Sequence, residues 1–207
     1  MGEQVRQVVL ATHNAHKVEE FRGIVARIRP DITVVGYDGP EPVEDGVTFA
    51  ANALIKARAA AAHTGLSALA DDSGLCVDVL GGSPGVFSAY WAGHAKDSAA
   101  NLTLLLDQLS DVADPHRGAH FVSTIALVVP ASDTGDATEH VVEGIWPGRL
   151  ALAPAGGGGF GYDPAFIPDD QVGGAVRTAA EFSAQEKNAA SHRARAFEAL
   201  VPLLRTL

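Results

Sequence analysis

The first apolar runs of the chain predict two strands on either side of a helix. The run QVVLAT is typical of a buried strand, and it ends at the polar residues 12–14. Asn14 is the expected N-cap of the following helix, and Pro30 is the expected end of that helix. The run ITVVGY then predicts the second strand. The apolar residues that recur at helical spacing between the strands are Val18, Phe21, Val25 and Ile28.

The next pattern is a loop, a helix and an apolar segment interrupted by two carboxylates. Residues 38–46 contain two prolines and four acidic residues, which is typical of a loop. Thr48 can cap the alanine-rich helix FAANALIKARAAAAHT, which Gly65 is expected to end. In ALADDSGLCVDV, Asp71 and Asp72 follow one apolar run and precede another. This order predicts a strand, a break at Asp-Asp-Ser-Gly, and a further strand.

The second half of the chain has longer apolar strands and a glycine-rich loop. GGSPGVFSAYWAG predicts a loop with glycine and proline, and Asp97 is the expected N-cap of a helix through NLTLLLDQL. AHFVSTIALVVP predicts a long strand, and TEHVVEGIWPGRLAL predicts a hairpin that turns at Pro147-Gly148. PAGGGGFGYDPAFIP, with four consecutive glycines, predicts another loop.

The C-terminal segment SAQEKNAASHRARAFEALVPLL predicts a single helix. Ser183 and Glu186 form a capping box that opens it, and Pro202 is expected to bend or fray its end. Its apolar stripe consists of Phe197, Leu200, Val201 and Leu204. Without an internal repeat or a flexible linker, the elements predict one α/β domain over residues 1–207. We expect a mixed sheet flanked by helices, with two lobes around a cleft.

Charge and cysteine content narrow the functional classes. The formal net charge of −10 argues against broad nucleic-acid binding, which needs a basic face. A polyanionic ligand would therefore need a local cluster of Lys and Arg, or a divalent cation. The single cysteine, Cys76, excludes an internal disulfide and is predicted to be a buried strand residue. The N-terminal run VVLA is too short for a signal peptide or a membrane span, so we expect a cytoplasmic protein without a membrane partner.

The junction between the first strand and the first helix is a candidate phosphate site. Backbone N–H groups and the positive end of the helix dipole meet there, and Lys17 adds a point charge. Taken alone, the segment favours an ordinary capped helix with solvated polar residues. Asn52 and Lys56 share one face of the next helix, and taken alone they indicate a surface rather than a site.

The adjacent carboxylates Asp71 and Asp72 are a stronger candidate. Neighbouring acids disfavour each other's ionisation unless a cation or hydrogen-bond donors compensate. If the flanking segments are strands, the two side chains point to opposite faces, so one can bind a metal ion while the other fixes the backbone. The preceding loop offers Glu41, Glu44 or Asp45 as a further carboxylate, and Mg²⁺ commonly binds one or two carboxylates together with substrate phosphates. The alternative interpretation is a turn at a strand end with a solvated partner.

The glycine loop and the basic helix complete the candidate chemistry. Phe160 directly follows Gly156–Gly159, and glycine permits close backbone approach to a ligand, while an aromatic ring can stack on a base. Lys187 and Ser191 are four residues apart and are predicted to share a helix face, and the next two residues add donors. A flexible loop tip and a solvated basic patch are the alternative interpretations.

Taken in order, five segments resemble the inosine/xanthosine triphosphate pyrophosphatase family over nearly the whole chain. They are LATHNAHKVEEF, TFAANALIKA, ADDSGLCVDVLGGSPGVFSA, PAGGGGFGYDPAF and AEFSAQEKNAASHRARA. The resemblance implies an elongated two-lobed α/β fold with the active site in the cleft, Mg²⁺ dependence and a homodimer. The implied reaction is hydrolysis of a purine nucleoside triphosphate to the monophosphate and pyrophosphate. ITP, dITP and XTP are the implied substrates, and ATP and GTP are disfavoured.

The resemblance also implies roles for residues at matching positions. Asp72 resembles the family's proton acceptor and metal ligand, Glu44 its metal partner, and Ser73 a substrate contact. Lys56 is expected to help neutralise the triphosphate. The residues that resemble the phosphate-binding turn are Thr12, His13, Asn14, Ala15, His16 and Lys17. The residues that resemble the nucleotide-binding set are Phe160, Gly161, Tyr162, Asp163, Lys187, His192 and Arg193.

The chain departs from the family pattern at two places. His13 stands where a small glycine is frequent, which can alter the phosphate turn, and DDQVGGAVRT is longer than the family's connection. The implied chemistry is attack of water on the α-phosphorus, with Asp72 accepting the proton and pyrophosphate leaving opposite. Donors from His192, Arg193 or nearby backbone would favour the acceptor at position 6 of hypoxanthine and xanthine over the donor of adenine.

Three other functions remain open from the sequence. A non-enzymatic nucleotide-binding regulator would use the same residues without needing a carboxylate that activates water. A related pyrophosphatase could act on pyrimidine or modified nucleotides. A structural protein with a glycine-rich surface is disfavoured by the five ordered segments.

Overall fold

The protein, as a computed structural model, is described over residues 6–131, 136–171 and 176–207, apart from the side chains of His16 and Glu20. Its helices and strands are β1 (Arg6–Leu10), α1 (Ala15–Ile28), β2 (Ile32–Gly36), α2 (Phe49–Thr64), β3 (Ser67–Val77), α3 (Ser98–Gln108), β4 (Gly118–Val129), β5 (Thr138–Leu150), β6 (Phe166–Pro168), α4 (Ala184–Ala190) and α5 (His192–Leu204). Short 3₁₀ turns occur at Asp78–Leu80, Gly85–Tyr90, Asp114–His116 and Ala179–Glu181. Within the described ranges, no helix is both long and apolar enough to cross a membrane.

The strands form one six-stranded sheet in the order β2-β1-β3-β4-β5-β6. β1 pairs in parallel with β2 and with β3, so Val9 lies opposite Val35 on one side and Ala68 on the other. β6 pairs antiparallel with β5. The parallel strands are joined by α1 and α2, because parallel neighbours need a crossover connection. The predicted α/β fold with a mixed sheet and flanking helices is confirmed.

The chain divides into two compact units. Unit 1 comprises residues 1–72, 124–143 and 196–207, and unit 2 comprises residues 73–123 and 144–195. In unit 1, α1 and the C-terminal part of α5 pack with Leu69 on one face of the sheet. α2 packs with Ala68 and Ala70 on the other face. The core of unit 2 includes Trp146 and Phe166, and both side chains are fully buried.

Helix ends with a local signal in the sequence lie where the sequence predicts them. The Asn14 side chain accepts a hydrogen bond from the Lys17 N–H at 3.3 Å, which is the expected cap of α1. Thr48 caps α2, Gly65 ends it, and Asp97 caps α3. The capping box of Ser183 and Glu186 opens α4. The predicted loop over residues 38–46 is also confirmed.

The predicted break at Asp-Asp-Ser-Gly is wrong, because β3 continues through it from Ser67 to Val77. The strand can continue because Asp71 and Asp72 each have a cationic partner on their own side of the sheet, which offsets the cost of burying their charge. Cys76 lies in this strand as predicted, but it is only half-buried.

The predicted hairpin at Pro147-Gly148 is also wrong, because both residues lie inside the continuous strand β5. Gly148 pairs with Pro168 of β6, and a Cβ at Gly148 would clash with the Ile167 carbonyl and the Phe166 ring. The glycine therefore permits close approach of a neighbouring strand instead of forming a turn. Pro147 contributes its carbonyl, which accepts a hydrogen bond from the Asp169 N–H at 3.1 Å.

The predicted single C-terminal helix is two helices, α4 and α5, separated at Ser191. Ser191 is extended, with φ −65° and ψ 162°. Its hydroxyl accepts from the Ala194 N–H at 3.4 Å and its carbonyl accepts from the Arg195 N–H at 3.1 Å, so Ser191 caps α5. Lys187 and Ser191 therefore do not share a helix face. α5 continues past Pro202 to Leu204.

Candidate functional site

The adjacent carboxylates of β3 point to opposite faces of the sheet in unit 1. Asp71 follows the alternation of Leu69 and faces the α1 side, where it accepts from the Lys17 ammonium at 2.8 and 2.9 Å. Asp72 follows Ala70 and faces the α2 side, where it contacts Lys56 Nζ at 3.4 Å. Strand geometry thus gives two neighbouring residues separate partners on separate helices.

A pocket of about 170 Å³ lies where β1 ends in unit 1. It is lined by Ala11, Thr12, His13, Lys17, Tyr37, Glu41, Pro42, Glu44, Lys56 and Asp71. The pocket is smaller than the roughly 300–1,000 Å³ typical of sites for whole small molecules. Its size and charged lining suit phosphate groups better than a complete nucleoside.

Lys56 is the centre of a buried cluster beside this pocket. Its ammonium contacts Glu44 at 2.8 Å and Asp72 at 3.4 Å, and its side chain is only 16% exposed. Burial disfavours the charged ammonium, but the surrounding carboxylates outweigh burial and raise the pKa of Lys56. The cluster therefore holds a positive charge between two negative ones.

The same surroundings act on Asp72. Burial raises the pKa of the Asp72 carboxyl, and the charge of Glu44 raises it further. Lys56 and a hydrogen bond from the Asn52 side chain oppose this shift without cancelling it. Asp72 is thus a partly desolvated carboxylate with a stronger affinity for protons than an exposed aspartate.

Two of the candidate nucleotide-binding residues of unit 2 lie against the ring of Phe160, which is 62% exposed. The Lys187 ammonium lies 4.8 Å from the ring centroid, and the Arg193 guanidinium carbon lies 5.3 Å from it. Arg193 Nε is buried and, within the part of the chain that the structure describes, has no hydrogen-bond partner. The cluster combines an exposed aromatic face with two cationic donors.

Asp163 fixes this cluster from below the glycine loop. Its carboxylate is buried, accepts from the Phe160 N–H at 2.7 Å and forms an ion pair with Lys187. Gly159 has φ +69°, and a Cβ there would clash with the Asp163 carboxylate. The glycine therefore lets the loop wrap closely around the acid that holds both Phe160 and Lys187.

The remaining predicted site residues are mostly less exposed to solvent than Phe160. Tyr162 is buried and its hydroxyl donates to the Ser88 carbonyl at 2.9 Å. His192 is also buried, with its ring stacked on Phe121 at a centroid distance of 4.9 Å. Ser73 is half-buried in β3. Gly161 lies in the glycine loop with φ +61°.

The structure describes the predicted phosphate-binding turn, residues 12–17, except for the side chain of His16. Thr12 accepts from the Asn14 N–H at 3.2 Å, and Ala15 is the first residue of α1. His16 lies in α1, and its side chain is outside the described part of the protein. Within the longer connection DDQVGGAVRT, residues 172–175 also lie outside the described ranges.

Asn52 belongs to the site, although the sequence did not predict it as a site residue. The prediction that Asn52 and Lys56 form a surface pair is wrong. Asn52 is buried, and its side-chain oxygen accepts from the Gly46 N–H at 2.9 Å while its side chain also hydrogen-bonds Asp72. Tyr37 also lines the pocket and was not among the candidate residues. The position of Asn52 four residues before Lys56 was the available signal, because both lie on the helix face that meets β3.

The fold and these clusters define a mixed-sheet α/β protein with a carboxylate and lysine pocket in one unit and an aromatic and cationic cluster in the other. A sequence model of the Ham1 family matches residues 8–203. The chain belongs to the Ham1 family.

Relatives in this family match along nearly their full lengths. A dITP/XTP pyrophosphatase of Leifsonia xyli subsp. xyli is 60% identical over 201 residues, covering 97% of this chain and 96% of the relative. A dITP/XTP pyrophosphatase of Streptomyces coelicolor is 55% identical over 205 residues, covering 97% of this chain and 98% of the relative.

Solved structures agree with the sequence relatives. A HAM1 protein of Coxiella burnetii has a TM-score of 0.87 and 39% identity, with 98% of this chain and 100% of that chain covered. A nucleoside-triphosphatase / dITP/XTP pyrophosphatase of Mycobacterium abscessus has a TM-score of 0.79 and 48% identity, with 95% and 99% covered. The fold of this chain is therefore the fold of the family.

Proposed function

We propose that this protein hydrolyses dITP, ITP and XTP to the nucleoside monophosphate and pyrophosphate. The names of relatives at 55–60% identity support the reaction and two of the substrates. The observation that carries the proposal is Asp72, a partly desolvated carboxylate held between Lys56 and Asn52 beside a charged pocket.

Asp72 is the proposed proton acceptor. Water attacks the α-phosphorus, its proton passes to the Asp72 carboxylate, and pyrophosphate leaves on the opposite side. The raised pKa makes the ionised carboxylate a better base than an exposed aspartate. The hydrogen bond from the Asn52 side chain favours the ionised form of this carboxyl.

Lys17, Lys56 and the N-terminus of α1 neutralise the phosphates. Both ammonium groups line the pocket of about 170 Å³, where phosphate oxygens would compete for them with the carboxylates that already pair with them. The start of α1 adds backbone N–H groups and the positive end of the helix dipole. Phosphoryl transfer depends mainly on such positioning and charge stabilisation.

The residues fit a magnesium ion as the proposed cofactor, held by Glu44 and Asp72. Both carboxylates contact the same ammonium, at 2.8 and 3.4 Å, so their oxygens already surround one cationic centre. Among the described residues no group of three or more His, Cys, Asp and Glu side chains could hold a metal, but Mg²⁺ commonly uses one or two carboxylates with substrate phosphates. Bound there, the ion would supply charge neutralisation and would lower the pKa of a water molecule that it holds.

The cluster around Phe160 is the proposed binding site of the base. Its exposed ring can stack on a purine, and Arg193 offers a donor to the acceptor at position 6 of hypoxanthine and xanthine. Adenine presents a donor at that position and would leave two donors facing each other. A site that depends on such hydrogen bonds can discriminate by about 10⁴-fold.

Steady-state kinetics on a nucleotide panel test the proposal. We expect release of pyrophosphate from ITP, dITP and XTP with Mg²⁺, far less from ATP, GTP and dUTP, and loss of activity when the metal is chelated. Binding without pyrophosphate release would support a nucleotide-binding regulator instead. Preference for dUTP would support a pyrimidine enzyme. The proposed assembly is a homodimer and the proposed compartment is the cytoplasm, both carried over from the sequence expectations.

A further inference from the structure

Six charged side chains line the pocket of unit 1, and they form three pairs of opposite sign. The pairs are Lys17 with Asp71 at 2.8 Å, Lys56 with Glu44 at 2.8 Å, and His13 with Glu41 at 3.2 Å. The basic partner is a lysine in two of the pairs. In the third pair it is His13, which lies in the phosphate turn.

The contacts of His13 involve both of its ring nitrogens. Its Nε2 lies 3.0 Å from the Gly39 carbonyl oxygen, and its Nδ1 lies 3.2 Å from a carboxylate oxygen of Glu41. A carbonyl oxygen and an ionised carboxylate only accept hydrogen bonds, so the geometry places an acceptor opposite each ring nitrogen. A ring with protons on both nitrogens would satisfy both acceptors and offset the charge of Glu41.

The His13 ring is held in this orientation by the loop over residues 38–46. It stacks on Tyr37 at a centroid distance of 5.8 Å and an interplanar angle of 6°. The Tyr37 hydroxyl in turn donates to the Pro40 carbonyl at 3.0 Å. The ring therefore connects the phosphate turn to the loop that carries Glu41 and Glu44.

We propose that His13 is a positioning residue that neutralises Glu41 and so admits a polyphosphate to the pocket of unit 1. This inference rests on the proposed function. Without His13, Glu41 would present an unpaired negative charge to phosphate oxygens entering the pocket. The side chains of His13 and Glu41 are 45% and 75% exposed, so solvent screens the effect and keeps it moderate.

The test compares wild type with His13→Gln, Glu41→Gln and the double variant. Binding of inorganic pyrophosphate with Mg²⁺ is measured by calorimetry, together with KM and kcat for dITP. His63→Gln is the matched control, because His63 packs edge-on against the same Tyr37 ring but pairs with Asp38, away from the pocket lining. His13→Asn is the second variant, and thermal melting shows that each variant is folded.

We expect His13→Gln to weaken pyrophosphate binding and raise KM by about fivefold at low salt, with kcat nearly unchanged. Glu41→Gln should bind at least as tightly as wild type, and the double variant should recover binding to within about twofold. At about 0.5 M salt the differences should disappear, because the charges are screened.

Two results would overturn the inference while leaving the proposed function intact. One is a folded His13→Gln variant with unchanged affinity at low salt. The other is a double variant as weak as His13→Gln, which would mean that His13 does not act through Glu41. A wild type that hydrolyses none of the nucleotides would instead overturn the proposed function and this inference with it.

Discussion

The charged clusters of units 1 and 2 each contain a lysine held by a buried carboxylate, but the cluster of unit 2 also carries an exposed aromatic ring. In unit 1, Lys17 and Lys56 are fixed by carboxylates on strand β3 and on the loop over residues 38–46. In unit 2, Lys187 and Arg193 lie over an exposed ring carried by a glycine loop. Ion pairs hold charge at fixed points, which suits phosphate chemistry, whereas an aromatic face accepts a stacked base. Changes in the two clusters should therefore affect different kinetic constants.

The largest effect should come from Asp72→Asn. We expect kcat to fall by about 10³-fold or more while nucleotide binding largely persists, because the variant keeps the shape of the site but cannot accept a proton. Pyrophosphate release and equilibrium nucleotide binding measure the two quantities separately. Asp111→Asn, which replaces an exposed aspartate of unit 2, is the matched control. Near-normal turnover in Asp72→Asn would contradict the assignment of the base.

The pH dependence gives a second readout for Asp72. Because its pKa is raised by burial, activity should fall as the pH drops through that raised value. The folded state binds this proton more tightly than the unfolded chain, so ionised Asp72 lowers stability at neutral pH, and stability is regained as the pH falls. The loss of stability with rising pH should therefore be smaller in Asp72→Asn than in wild type, which thermal melting across this pH range can check.

A smaller effect, on a different constant, is expected from Phe160→Ala. Loss of a stacking ring should raise KM for dITP by about tenfold or more and change kcat little. Phe87→Ala is the control, because Phe87 is an exposed phenylalanine of unit 2 that contacts Tyr90. If Phe160→Ala lowered kcat with KM unchanged, the division into chemical and recognition clusters would be wrong.

The smallest effect is expected from Ser191→Ala, which removes the cap at the start of α5. The free energy of unfolding should fall by about 1 kcal/mol, as for other lost N-caps. Urea denaturation measures the change, and Ser98→Ala, at the exposed start of α3, is the control. An unchanged free energy of unfolding would show that the helix break does not depend on this hydroxyl.

Features encoded by neighbouring residues could be predicted from the sequence. The ends of α2 depend on the Thr48 hydroxyl and on Gly65, and the start of α3 depends on the Asp97 carboxylate, so a few adjacent residues contain the full signal. The alternation of β3 also predicted that Asp71 and Asp72 would face opposite ways. These interactions are formed within one element and need no partner from elsewhere in the chain.

Features that depend on distant partners could not be predicted in this way. Pro147-Gly148 has the composition of a turn. Glycine occupies a strand there because a Cβ at position 148 would clash with the carbonyl oxygen of Ile167 on the neighbouring strand. Asn52 looked like a surface residue because its partners, Gly46 and Asp72, lie on other elements. Ser191 interrupts a helical pattern that continues on both sides, and its capping role is defined by the two helices it separates.

The alternation along β3 also restricts how this part of the gene can change in length. Insertion or deletion of one codon just before Asp71 would exchange the faces of both carboxylates at once. Insertion of two codons would restore the faces but displace each carboxylate by about 7 Å along the strand, away from its lysine. During evolution, changes in length within residues 67–72 should therefore be eliminated.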